Sequence, residues 1–206
     1  MLKLRKFFRG DRDVVRYLVI GMVLAQVWAT RFAEAEPVNP DWQVKPEFHL
    51  TGISNFTRHG GKSFGHDTFA ATAELTLYSE GKPYWGGPFI DYRTSSSDQF
   101  RDNLNLGVYF RYNFPRWDHT AWLFENRSPG NDGTMVYATR SRYRLNDRYK
   151  IGVEALAPLD DAGKPELMLG CYGSVGDALS LKMLAGAGTG GAPDFTAKLE
   201  VTWHVL

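Results

Sequence analysis

Three arginines at alternate positions, Arg140, Arg142 and Arg144, are the clearest group of side chains with a chemical use. A spacing of two residues places all three on one face of a β-strand. Guanidinium groups keep their charge and bind carboxylates and phosphates. This arginine ladder would therefore either neutralise nearby carboxylates or attract anionic solutes.

A second group of reactive side chains falls in two segments rich in loop-forming residues. His66 and Asp67 lie in the first segment, and Ser96 and Asp98 lie in the second. If both segments project from the same end of adjacent hairpins, a Ser–His–Asp arrangement can form, so these four residues are weak catalytic candidates. No HExxH motif occurs. Because Ser, Asp and His are common in exposed loops, solvated loops are the favoured interpretation.

The elements that position these residues are predicted by alternation of apolar and polar side chains, which runs from residue 44 to the C-terminus. The last segment is typical. Its odd-numbered positions from Phe195 to Val205 are apolar and share one face, and its even-numbered positions from Thr196 to His204 are polar and share the other. Ten strands are predicted, at 44–56, 68–79, 84–94, 103–114, 118–126, 134–145, 149–159, 166–175, 179–187 and 194–205.

The strand lengths and the connections favour a barrel that crosses a membrane. Most of the strands are longer than the five or six residues usual in globular proteins, and about 9–11 residues suffice for a tilted transmembrane strand. Short links follow the even-numbered strands, at 80–83, 115–117, 146–148 and 176–178. Longer predicted loops follow the odd-numbered strands, at 57–67, 95–102, 127–133, 160–165 and 188–193. Short turns at one end and long loops at the other are typical of outer-membrane barrels.

The tryptophans provide a second indication. Four of them, Trp42, Trp85, Trp117 and Trp203, fall at the strand ends that carry the short turns. Aromatic residues gather at the membrane–water interface in such barrels, so these four are predicted to form an aromatic girdle.

Residues 42–206 resemble the small outer-membrane β-barrel proteins of Gram-negative bacteria. The resemblance rests on the alternation, the strand length and the terminal strand from Phe195 to Leu206, which is similar to the assembly signal of such proteins. Trp203 supplies the aromatic residue of that signal, whereas Leu206 is out of phase. The expected fold is all-β, an up-and-down antiparallel transmembrane barrel of about ten strands, with eight to twelve compatible with the pattern. The expected location is the cell outer membrane, reached through the periplasm.

The polar faces of such a barrel line its lumen. The predicted lumen residues are Glu74, Asp91, Arg93, Arg111, Arg140, Arg142, Arg144, Glu154, Lys182, Lys198 and Glu200. A three-residue turn at 146–148 would place Arg140 opposite Glu154 as a cross-strand ion pair. For the fifth strand, a three-residue turn with Glu125 inside and Trp122 and Phe124 in lipid is preferred to a two-residue turn with both aromatic rings inside.

The N-terminal residues differ in kind from the rest. A basic segment precedes an uncharged run of thirteen residues, 17–29, and Ala33-Glu34-Ala35 follows. This order is typical of a secretory signal peptide, which predicts a signal over 1–35 and a barrel over 36–206; a membrane anchor is the alternative. Residues 1–35 hold seven basic and three acidic side chains, which leaves a net charge of −3 on the predicted mature chain.

Composition limits the functions that remain. The near-zero formal net charge of +1 argues against nucleic-acid binding, and the single Cys171 excludes an internal disulfide. No Cys/His cluster has zinc spacing, so the sequence predicts no metal and no cofactor. The favoured function is a small porin-like channel or a structural barrel with a charged lumen. An outer-membrane hydrolase or lipid-modifying enzyme and a soluble lipocalin-like binding barrel are the alternatives.

The expected partners follow from that location. They are outer-membrane lipid and lipopolysaccharide, the barrel-assembly machinery and, for a conducting lumen, small anionic solutes. The arginine ladder is faintly similar to that of porins specific for acidic oligogalacturonides. Because those barrels are larger, no site is transferred from them.

Overall fold

A computed structural model describes residues 41–96, 102–130, 132–159, 165–188 and 193–205. The predicted signal segment, 1–35, lies outside these ranges. Each strand pairs antiparallel with its neighbours in chain order, and β1 also pairs with β10, so the sheet closes on itself. This confirms the predicted ten-stranded antiparallel barrel. The strands are Trp42–His59 (β1), Lys62–Ser79 (β2), Tyr84–Ser95 (β3), Asn103–Asn113 (β4), Trp117–Arg127 (β5), Thr134–Arg144 (β6), Tyr149–Pro158 (β7), Glu166–Val175 (β8), Leu179–Gly188 (β9) and Phe195–His204 (β10).

Within the described ranges, no helix has the length and the apolar character needed to cross a membrane.

The barrel has two unlike ends. Short turns at 80–83, 114–116, 145–148 and 176–178 mark one end, which we call the turn end. The first hairpin and the connections at 96–102, 128–133, 159–165 and 189–194 mark the other, which we call the loop end. This arrangement matches the predicted alternation of short and long connections, with one exception.

The exception is the first hairpin, where the predicted loop over 57–67 is wrong. The strands continue to His59 and Lys62, and only Gly60 and Gly61 separate them. Both glycines have positive φ, 55° and 77°, which a tight two-residue hairpin turn requires and which side chains other than glycine disfavour. Polar residues suited to a loop therefore lie in an extended hairpin instead.

Alternation assigns the two faces of the wall. Large apolar side chains point outward and stay exposed on the outer surface, as at Val108, Leu169 and Val175. Polar and charged residues occupy the intervening positions and point into the lumen. An apolar outside and a polar inside is the reverse of a water-soluble barrel and fits a lipid environment.

The turn between β4 and β5 is one residue shorter than the preferred prediction. Asn113 pairs with Asp118, and Phe114 N donates to the Trp117 carbonyl, so only Pro115 and Arg116 form the turn. This two-residue turn shifts β5 by one position relative to the preferred prediction and exchanges its faces. Trp122 and Phe124 therefore point into the lumen, and Glu125 points outward, where it pairs with Arg127.

A small apolar core lies inside the barrel on β8 and β9. Met168, Tyr172 and Leu184 are almost fully buried there. Gly170 makes room for them, since a Cβ at this position would lie 2.4 Å from Leu184 Cδ2. The lumen is thus narrowed by side chains on one side, while its remaining lining is mostly polar.

Candidate functional site in the barrel lumen

The eleven predicted lumen residues all occupy inward positions of the wall. Strand register brings those of β6 and β7 together: Arg140 lies opposite Glu154, Arg142 opposite Gly152 and Arg144 opposite Lys150. The predicted pair of Arg140 and Glu154 forms with 4.0 Å between Nη1 and Oε1. The ladder therefore runs along the lumen from the turn end towards the middle of the barrel.

The lumen faces of β4 to β7 form what we call the basic wall. It carries five cationic side chains and two carboxylates, a net charge of +3. The carboxylates are Asp118 and Glu154. The cations are Arg111, Arg140, Arg142, Arg144 and Lys150.

Asp118 is the residue of this wall that sequence reasoning missed. It is only 4% exposed and accepts hydrogen bonds from Arg142 Nε at 2.6 Å and from Lys150 Nζ at 2.7 Å. The three-residue turn preferred for the fifth strand would place Asp118 on the outer face. The signal that identifies it is turn length, because Pro115-Arg116 forms a complete two-residue hairpin.

Aromatic rings also contact the arginines of the basic wall. The Arg140 guanidinium lies 5.0 Å from the centre of the Trp122 ring and 5.9 Å from that of Tyr172, which Arg142 also approaches, at 5.2 Å. Arg111 lies 5.6 Å from the Trp85 ring. Cation–π contacts fix a guanidinium without neutralising its charge.

The basic wall keeps unused hydrogen-bonding capacity. Nε of Arg140 is buried and has no hydrogen-bond partner among the described residues. Within the same part of the chain, Arg111 and Arg144 form no ion pair with a carboxylate, and Arg111 donates only a long hydrogen bond to Thr120. Guanidinium groups held in place with free donors can bind an anion in the lumen.

The opposite side of the lumen is balanced by local pairs. Lys182 lies 2.6 Å from Glu200, and Lys198 lies 4.0 Å from Glu166. Asp91 accepts hydrogen bonds from Thr72, Arg93 and Asn105 at 2.6–2.8 Å. The lumen therefore has one side rich in cations and one side where acidic groups offset the basic ones.

Some charged side chains of the lumen remain accessible to water, whereas those of Arg140, Arg142, Asp118 and Glu154 are at most 16% exposed. The Arg93 side chain is 44% exposed, and those of Lys150 and Lys198 are 27% and 23% exposed. A dry interior filled by ion pairs would leave such groups almost fully buried. Water therefore reaches the described lining at these three side chains.

The predicted aromatic girdle needs one correction. Trp117 and Trp203 are 45% and 53% exposed on the outer surface at the turn end, and Trp42 shares that face next to Tyr84. Trp85 does not belong to this group, because it pairs with Arg111 across the strands and points into the lumen. An inward position explains its contact with a guanidinium.

Three of the four weak catalytic candidates, His66, Asp67 and Ser96, lie among the described residues, and their geometry differs from that of a Ser–His–Asp relay. His66 and Asp67 are consecutive in β2, so their side chains point to opposite faces. The Asp67 carboxylate accepts a hydrogen bond from Ser54, and Ser96 Oγ accepts one from the Asp67 backbone amide. Asp98 lies outside the described residues.

Comparison with known proteins finds similarity only at the level of structure. No family model matches the sequence, and no characterised protein matches it significantly. The KdgM porin is 10% identical, with a TM-score of 0.49 over 77% of this chain and 98% of that one. The NalP translocator domain from Neisseria meningitidis is 9% identical, with a TM-score of 0.41 over 91% and 97% of the two chains. The COG4313 outer membrane channel from Pseudomonas putida F1 is 11% identical, with a TM-score of 0.39 over 83% and 100%. The resemblance to small outer-membrane barrels is one of architecture, as predicted.

Proposed function

We propose that this protein is an outer-membrane barrel whose lumen passes small solutes and favours anions. The observation that carries the proposal is the basic wall, a net charge of +3 along one side of a lumen in which Lys150, Arg93 and Lys198 stay accessible to water. A pore lined by an excess of one charge raises the local concentration of solutes of the opposite charge.

The arginine contacts support passage rather than tight storage of a ligand. Cation–π packing leaves the guanidinium charge available, and Asp118 and Glu154 lower the total charge of the wall. A solute that binds moderately at several successive groups can enter and leave, as conduction requires. The arginine ladder provides three such groups in a row.

The experiment is conductance of the purified, refolded protein in a planar lipid bilayer. We expect discrete steps in the current, and we expect their frequency to rise with protein concentration. Uptake of a small organic anion into liposomes should exceed uptake of a cation of the same size. A chain that folds and inserts but shows no steps above background would contradict the channel and leave a structural barrel.

Location in a lipid bilayer has its own test, based on the two sets of tryptophans. Single-tryptophan variants, with the others replaced by Phe, should separate into two classes in vesicles containing brominated phospholipid. We expect strong quenching of Trp117 and Trp203, which face outward, and weak quenching of Trp85 and Trp122, which face the lumen. Equal quenching of all four would show that the faces are assigned wrongly.

Export is part of the same proposal. The basic segment, the apolar run 17–29 and Ala33-Glu34-Ala35 support a signal peptide that is removed when the protein leaves the cytoplasm. N-terminal sequencing of the protein isolated from the outer-membrane fraction should begin near Glu36. A product that still carries residues 1–35 would favour the membrane anchor.

A further inference from the structure

A second cluster of polar side chains lies on the lumen wall of β10, β1 and β2. Glu47 and Glu74 are directly opposite each other on β1 and β2, and His49 follows Glu47 on the same face. One ligand atom from each of these three residues lies within 4.8 Å of the others. We propose that Glu47, His49 and Glu74 bind a divalent transition-metal ion such as Zn²⁺.

The charges of the pair call for a cation. Two carboxylates directly opposite on one face of a sheet repel each other unless a positive group lies between them. Lys45 Nζ binds Glu47 Oε1 at 2.8 Å, but Glu74 makes no hydrogen bond or ion pair with any other described residue. Arg111 acts on both carboxylates through space, and Arg140 acts on Glu74, but neither arginine forms an ion pair with them among the described residues. A divalent ion bridging both carboxylates would supply the direct positive contact that Glu74 lacks.

The donor set indicates which ions fit. Two carboxylate oxygens and one imidazole nitrogen are ligands that Zn²⁺ and its neighbours in the first transition series accept, whereas Ca²⁺ and Mg²⁺ prefer oxygen alone. Zinc–ligand distances of about 2.0–2.2 Å place ligand atoms roughly 3–4 Å apart. The ligand atoms of the three residues are at most 4.8 Å apart, so modest rotation of the side chains brings them to the distances that a bound ion requires.

His204 gives His49 a defined orientation. The two Nδ1 atoms lie 2.9 Å apart, and His204 Nε2 lies 3.2 Å from Ser180 Oγ. Both contacts are satisfied when His49 Nδ1–H donates to His204 Nδ1 and His204 Nε2–H donates to Ser180. That tautomer leaves the lone pair of His49 Nε2 free for a metal. A ligand histidine whose other nitrogen is held by a hydrogen bond is the usual arrangement in metal sites, which makes His204 a positioning residue.

The site does not depend on conduction, so it can be tested on the folded full-length chain in detergent. Titration with Zn²⁺ by isothermal calorimetry should show one ion per chain for the wild type. Glu74→Gln and His49→Gln should abolish the binding, and His204→Gln should weaken it by roughly 10- to 100-fold. Adding Mg²⁺ in excess should not compete.

Control variants separate this site from adventitious binding. His119 lies on the outer face and contacts Ser141, so His119→Gln should bind Zn²⁺ like the wild type. Heat-modifiable gel migration shows whether each variant is folded, and Glu47→Gln provides a second carboxylate change should Glu74→Gln misfold. No binding by the wild type, or unchanged binding in folded Glu74→Gln and His49→Gln, would overturn the proposal.

Discussion

Replacing both Arg140 and Arg142 with alanine is expected to remove most of the anion preference of the lumen. The change lowers the net charge of the basic wall from +3 to +1. Coulomb's law gives about 1 kcal/mol for a unit charge 4 Å away in water, and about 1.4 kcal/mol is a factor of ten. We expect the anion-to-cation permeability ratio to fall by roughly an order of magnitude, measured from reversal potentials in a salt gradient.

The matched control carries the same loss of charge outside the lumen. Arg116 lies in the turn between β4 and β5, and Arg127 is an exposed residue of the outer face. Arg116→Ala/Arg127→Ala should therefore leave the permeability ratio close to the wild-type value. If both double variants change the ratio equally, surface charge and not the arginine ladder sets the preference.

Asp118→Asn is expected to have the largest effect on stability of any single change to the basic wall. It leaves Arg142 and Lys150 facing each other without the carboxylate that both contact. Removing one partner of a buried ion pair typically costs about 3–5 kcal/mol. Because Lys150 remains 27% exposed, water compensates in part, and we expect a loss of about 2–3 kcal/mol in the free energy of unfolding.

Urea unfolding of the refolded protein in detergent, followed by tryptophan fluorescence, measures this loss. Glu125→Gln is the matched control, since it breaks the exposed pair with Arg127 and should cost less than about 1 kcal/mol. The same Asp118→Asn variant should show an increased anion preference, because the wall gains one positive charge. A variant as stable as the wild type would mean that Asp118 does not hold the two cations together.

The barrel itself could be predicted because alternation within a strand and the length of a turn depend on residues close together in the sequence. A period of two over ten segments fixes which side chains share a face, and the final strand from Phe195 to His204 shows it without interruption. The register of β6 on β7 also followed from turn length alone, since Leu145 N donates to the Tyr149 carbonyl across the 146–148 turn. These features depend on neighbours in the chain.

Two wrong predictions concern turns, where a difference of one or two residues changes the structure of the neighbouring strands. At Pro115-Arg116 a turn shorter by one residue reverses both faces of β5, which moves Asp118 and Trp122 into the lumen. At Gly60-Gly61 two glycines make a tight turn inside a segment whose polar composition suggested a loop. Alternation is also weak at Trp85, because aromatic residues are suited to either face at a strand end.

The candidate sites depend on residues that are far apart in sequence. The cluster of Glu47, His49 and Glu74 has no spacing motif, and His204 joins it only because β10 closes the barrel onto β1. Likewise, Trp122 and Tyr172 contact Arg140 from strands on either side of β6. Such contacts require the register of several strands, which alternation alone does not supply.

The most direct test of the proposed function is the reversal potential of the wild-type protein in a planar bilayer that separates two KCl concentrations. K⁺ and Cl⁻ have nearly equal mobility in water, so the sign of the potential reports the charge preference of the lumen. We predict the sign that corresponds to chloride permeating faster than potassium, and a smaller potential at high salt, where charges are screened. A potential of zero or of the opposite sign at low salt would contradict an anion-favouring lumen.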